Sequence, residues 1–152
     1  RENPVDVPDR EVADLADVDA AITVSLHCEN NFPARKAQSD WDIPLPRGLD
    51  DAGYLHTLEQ VLNYLLPIYQ PDLVLYDAGV DVHQLDALGH LQLTDDGIAA
   101  RDRLVIDNCL GRDIPVCAVI GGGYDRDRDA LARRHGILHH SAAAIWQQRG
   151  LG

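Results

Sequence analysis

Two short apolar runs, each breaking into a turn of small residues, constrain this chain most. Leu73-Val74-Leu75 runs through Tyr76 into Asp77-Ala78-Gly79, and Ile114 to Ile120 runs into Gly121-Gly122-Gly123-Tyr124. Runs of this length and composition read as buried strands. Between them Thr94 is an N-cap, with Asp95 and Asp96 in the first turn, where the helix dipole favours anions. Ile98, Val105, Ile106 and Cys109 form that helix's apolar stripe, and Gly111 ends it.

The same alternation holds on either side. Ala20 to Leu26 reads as a first buried strand, and His27 to Gly48 as a long loop punctuated by Pro33, Pro44 and Pro46. Asp50 or Asp51 caps a helix with Leu55, Leu58, Leu62, Leu65 and Leu66 on one face, which Pro71 stops. After the triple glycine, Asp127 or Asp129 begins a last helix striped by Leu131, His135, Leu138, Ala142, Ile145 and Trp146. Strand, helix, strand, helix, strand, helix implies right-handed crossovers and an α/β fold with a mainly parallel sheet and flanking helices. Three strands are few for a parallel sheet, which is normally covered on both faces. The expectation is a partial domain, or one that oligomerises: residues 1–19 an irregular start, 20–149 an α/β core, and 1–152 the C-terminal part of a single domain.

Net charge narrows the partners. A formal charge of −12 argues against nucleic acid and against an anionic membrane surface. No apolar run approaches the roughly 20 residues of a membrane span, and the acidic start has no signal-like apolar region. Cys28, Cys109 and Cys117, with no C-x-x-C spacing, read as reduced core thiols of a cytoplasmic protein. The chain contains no Met, so upstream residues are expected to be missing.

In α/β sheets ligands gather at the carboxyl ends of strands. That rule puts Asp81, just past Ala78-Gly79, and Tyr124, just past the glycines, at one cleft. The bland readings are a loop carboxylate and a loop aromatic. His83 reads as a solvated loop histidine rather than a second ligand, Asp86 as a brace of the loop, and His27 as a hydrogen-bonded structural histidine. A phosphate cradle at Gly121-Gly122-Gly123 is disfavoured because Asp125 and Asp127 crowd the helix start with negative charge.

Four motifs, in order, carry a resemblance: Val24-Ser25-Leu26-His27 with Asn31-Phe32-Pro33; Ser39 to Pro46 (SDWDIPLP); Tyr76 to Gly89 (YDAGVDVHQLDALG); and Gly121 to Tyr124. Over roughly residues 20–146 the chain resembles the second half of a histone deacetylase catalytic domain, in the pattern of bacterial proteins similar to the class IV enzymes. The resemblance implies an arginase/deacetylase-like three-layer fold and hydrolysis of acetyl-lysine or a small acetylated amine at one Zn2+. It implies Asp81 as a zinc ligand and Tyr124 as the catalytic hydroxyl donor to the oxyanion. Phe32, Gly122 and Gly123 would line the substrate channel. Ser25 and Leu26 would hold a structural monovalent cation such as K+ through backbone oxygens.

The departures from the family pattern are equally specific. The paired His-His acid/base motif and the Asp-x-His zinc-ligand motif are absent, and His139-His140 lies past the tyrosine, in the wrong order. The isolated chain is therefore expected to be inactive unless a missing N-terminal half or another chain completes it. Two other readings stand beside this one: a non-catalytic truncated or degenerate α/β module, and an arginase-type manganese hydrolase, for which the further Asp and His clusters are lacking.

Overall fold

The computed structural model describes residues 21–31 and 36–151. The chain forms two compact units, residues 1–46 and 47–152.

In the first unit β1 (Val24–Cys28) pairs in parallel with β2 (Trp41–Leu45), Val24 opposite Trp41 and Cys28 opposite Leu45. The strand β2 lies in the stretch expected to be loop. Pro44 masks it in the sequence, yet proline is tolerated in a strand that carries a partner on one side only. Asp40 closes the entry to the pair: its carboxylate accepts from the Thr23 backbone N–H and hydroxyl, both at 2.8 Å. Cys28 and Leu45 are buried.

In the second unit α1 (Asp51–Tyr69), β3 (Val74–Asp77), α2 (Asp95–Leu110), β4 (Val116–Val119) and α3 (Arg128–Arg149) follow in order. The strands β3 and β4 pair in parallel, Val74 opposite Val116 and Asp77 opposite Val119. Each helix starts on the side chain of its cap: Asp50 accepts from Gly53 N, Thr94 from Gly97 N, and Asp127 from Asp129 N and Ala130 N. Helix α1 carries Pro67 in its last turn and ends before Pro71, where Gln70 turns left-handed at φ 43°.

One cluster of the core lies between one face of β3/β4 and the helices α2 and α3. Ala78, Ile106, Leu138 and Ile145 form it, with Tyr76, Val116 and Ala118 packed against them. The stripe of α2 is buried as expected. That of α3 is rotated: Arg134, Leu138, Ser141 and Ile145 face inward, while Trp146 is exposed. The strands themselves are only half buried. Leu73, Leu75 and Val119 point to the other face, where Leu75 is 69 % exposed, because no helix of this unit covers it. Cys117 is likewise exposed, so it is not a core thiol, whereas Cys28 and Cys109 are buried. No helix among the described residues is long and apolar enough to cross a membrane.

Candidate active site

The carboxyl ends of β3 and β4 are stitched together. The Ala78 N–H donates to Val119 O (2.9 Å) and the Val80 N–H to Gly122 O (2.6 Å). The three glycines then each receive one side chain of the β3 turn. A methyl group at Gly121 would collide with the Asp77 carboxylate, and one at Gly122 would stand 3.2 Å from Cγ of Asp81. At Gly123 it would meet Val80 Cγ2 at 2.5 Å and Leu131 at 3.1 Å, and φ there is +153°, a conformation for which glycine is suited. Gly122 and Gly123, expected as channel lining, thus serve first as the seat of the Asp81 loop.

Asp81 is half buried. Burial raises its carboxyl above the usual range, Asp86 and Asp77 push in the same direction, and Arg101 opposes them. Arg101 is itself buried under the turn, donating to Gly79 O (2.6 Å) and Ala78 O (3.3 Å). It pairs with Asp102, which is fully buried and accepts from the Tyr76 hydroxyl at 2.6 Å. Burial raises the Tyr76 phenol, and the neighbouring Asp102 carboxylate adds to the rise. This Tyr76–Asp102–Arg101 network was missed in the sequence. Its signal is the gap in the α2 stripe: Arg101 and Asp102 occupy the inward positions three and four residues after Ile98.

Tyr124 is held by its backbone. Its N–H donates to Asp86 Oδ2 (2.6 Å) and its C=O accepts from the Ala87 N–H (2.9 Å), while the residue itself is 65 % exposed. The next residue, Asp125, forms an ion pair with buried Arg134 of α3 at 2.8 Å, close but poorly aligned for a hydrogen bond. Asp86 is the expected brace: its other oxygen accepts from Leu88 N and Gly89 N.

His83 is not a solvated loop residue. It is buried, with Nδ1 accepting from the Leu85 N–H (3.1 Å) and Nε2 against Asp95 (3.1 Å). Both ring nitrogens are therefore engaged, and the second Asp-x-His ligand pair is excluded in this arrangement. His27 is hydrogen-bonded as expected, its Nδ1 lying 2.9 Å from the Ser25 hydroxyl. Ser25 and Leu26 lie in β1, and Phe32 falls outside the described residues. The pair His139-His140 lies exposed on α3.

A catalytic zinc takes three protein ligands and keeps one open position. Among the described residues no three His, Cys, Asp or Glu groups converge where a metal could bind, so Asp81 alone does not fit that ion.

Comparisons with known proteins identify the family and the fold. A family model, the histone deacetylase domain, matches residues 13–139. An uncharacterized protein of Picosynechococcus is 50 % identical over 124 residues, covering 82 % of this chain and 41 % of the relative. The probable deacetylase of Archaeoglobus fulgidus is 32 % identical over 87 residues, covering 55 % of this chain and 23 % of the relative. Among solved structures, the acetylpolyamine aminohydrolase of Burkholderia pseudomallei superimposes with a TM-score of 0.58 at 22 % identity, over 74 % of this chain and 34 % of that one. A histone deacetylase homologue complexed with SAHA gives 0.57 at 22 % identity, over 78 % and 34 %. The fold is therefore the α/β arginase/deacetylase-like fold, present in part. The chain belongs to the histone deacetylase domain family, and spans well under half the length of these relatives.

Proposed function

We propose that this chain carries the aspartate and tyrosine side of an amide-hydrolysing deacetylase site, acting on acetyl-lysine or a small acetylated amine. The observation that supports it most is the stitching of the two strand ends, which seats Gly122 against the Asp81 carboxyl and fixes the Tyr124 peptide on Asp86 of the same loop. Asp81 would contribute one anionic ligand to a zinc ion. The Tyr124 hydroxyl would donate to the oxyanion that forms as the amide carbonyl is attacked, an interaction commonly worth about 3–4 kcal/mol. Its exposure leaves that hydroxyl accessible to a substrate.

The rest of the reading follows from family membership. Phe32 would line the channel, and backbone oxygens of Ser25 and Leu26 would bind a structural monovalent cation. The other zinc ligands and the general base would come from polypeptide outside the described residues, in a single domain that includes both units. A second reading, a non-catalytic module, rests on the lack of any group of three metal-binding side chains among the described residues.

A chimera tests the proposal. Residues 13–139 replace the matching segment of the Picosynechococcus relative, and hydrolysis of an acetyl-lysine peptide and an acetylpolyamine is followed, with the unaltered relative as reference. Turnover that falls about 10²–10³-fold with Tyr124→Phe at unchanged zinc content supports the reading. A zinc-loaded chimera that is inert beside an active reference, or one indifferent to Tyr124→Phe, overturns it.

A further inference from the structure

The side chain of Tyr124 does not fix its own place, because most of the residue lies in solvent. What fixes it is the peptide to which it is attached, and that peptide is clamped on both sides by consecutive residues of the β3 turn. The Tyr124 N–H meets Asp86 Oδ2 at 2.6 Å, and the Tyr124 C=O meets the Ala87 N–H at 2.9 Å. We infer that Asp86 is the positioning residue for Tyr124, its carboxylate holding the tyrosine loop and the aspartate loop in one register.

Three features make the carboxylate, and not merely a polar residue, the agent. Both of its oxygens are in use: Oδ1 accepts from Leu88 N (2.9 Å) and Gly89 N (2.7 Å), and Oδ2 from Tyr124 N. Bonds to an ionised acceptor are roughly twice as strong as neutral ones. An asparagine at this place has one acceptor oxygen and one NH2 group. It can serve the Leu88–Gly89 turn or the Tyr124 amide, not both.

The clamp is also anchored. The Asp86 N–H donates to His83 O (2.9 Å), and His83 is fixed in turn to Asp95 at the start of α2. On the far side of the tyrosine, Arg134 of α3 holds Asp125. Tyr124 is therefore suspended between two helices, and Asp86 is the link on the side of Asp81. Both oxygens point to backbone N–H groups, an arrangement for bracing a chain and not for binding a metal.

The clamp is independent of the catalytic role; that it serves catalysis rests on the deacetylase reading above. Amide hydrogen exchange in the isolated chain, read by NMR, separates the two. The Tyr124 amide is expected to be protected and its proton shifted downfield by the short bond to a carboxylate. Asp86→Asn is expected to speed Tyr124 exchange at least about tenfold and move that resonance upfield. The Leu93 amide, bonded to Val82 O in the same loop region, should stay as it is. In the chimera, Asp86→Asn should lower kcat with KM and zinc content unchanged, and add little to the loss in Tyr124→Phe. Unchanged exchange and shift at Tyr124, or a rise spread equally to Leu93, overturns the inference. A zinc-loaded chimera that is inert beside an active reference, while the Tyr124 amide still responds selectively, sinks the deacetylase reading and leaves the clamp standing.

Discussion

Gly122 and Asp81 lie so close that a single added methyl on the glycine would stand 3.2 Å from the aspartate's Cγ. That spacing is tight, and the carboxyl can give by a few tenths of an ångström. Gly122→Ala is therefore expected to destabilise the chain by only about 1 kcal/mol. Gly123→Ala meets Val80 and Leu131 and demands an unfavourable backbone at φ +153°, so about 2–3 kcal/mol is expected. Urea unfolding of both variants checks the order, and a Gly122→Ala protein less stable than Gly123→Ala would contradict it.

Asp81 itself is costly to the isolated chain. Its folded pKa is raised by burial, then by Asp86 and Asp77, so ionisation in the folded state is penalised relative to the unfolded state. The stability this group favours is present below its ordinary value of 3.8 and is lost as pH rises through the folded value. Asp81→Asn should then raise the melting temperature of the metal-free chain at neutral pH, with the gain shrinking toward pH about 4. Thermal scans in chelator at the two pH values decide it.

The buried network predicts an asymmetry. Asp102→Ala strands the Arg101 guanidinium and the Tyr76 hydroxyl in the core, at a cost of about 3–5 kcal/mol. Tyr76→Phe removes one bond to a carboxylate that Arg101 still holds, at about 1.5–3 kcal/mol. Equal losses in urea titrations would contradict the network.

His83 makes the fold sensitive to acid. Its pKa is lowered from 6.5, by burial first and then by Arg134, against the pull of Asp95. Because Nδ1 accepts a hydrogen bond, protonation breaks it. The unfolded chain takes up this proton first. Stability is therefore full above pH about 6.5 and falls as pH drops through the folded value; His27, also lowered by burial, acts in the same sense. Melting temperatures across pH about 5–8 should fall on the acid side, less steeply in His83→Gln.

Sequence reading was strongest where a residue type has one local job. Asp50, Thr94 and Asp127 cap the helices foreseen for them, and the α2 stripe is buried. It failed where the answer depends on what lies across the sheet. Leu73 and Leu75 read as buried, yet burial of a strand face needs a covering layer, which this unit supplies on one side only. The strand Trp41–Leu45 hid behind Pro44, and Arg101 and Asp102 went unnoticed in a stripe read from its apolar residues alone. Of the candidate site, the placement of Asp81 and Tyr124 just past the strand ends was legible. The clamp through Asp86 was legible only as a brace, because its second partner lies 38 residues away in the chain.

The central claim is that this chain holds one part of a metal site, completed elsewhere. Zinc content, measured on the purified chain after a mild chelator has removed loosely bound metal, tests it most directly. The account predicts far less than one zinc per chain, and about one per chain, lost with Asp81→Ala, in the chimera with the Picosynechococcus relative. One tightly held zinc in the isolated chain, lost with Asp81→Ala, would contradict it.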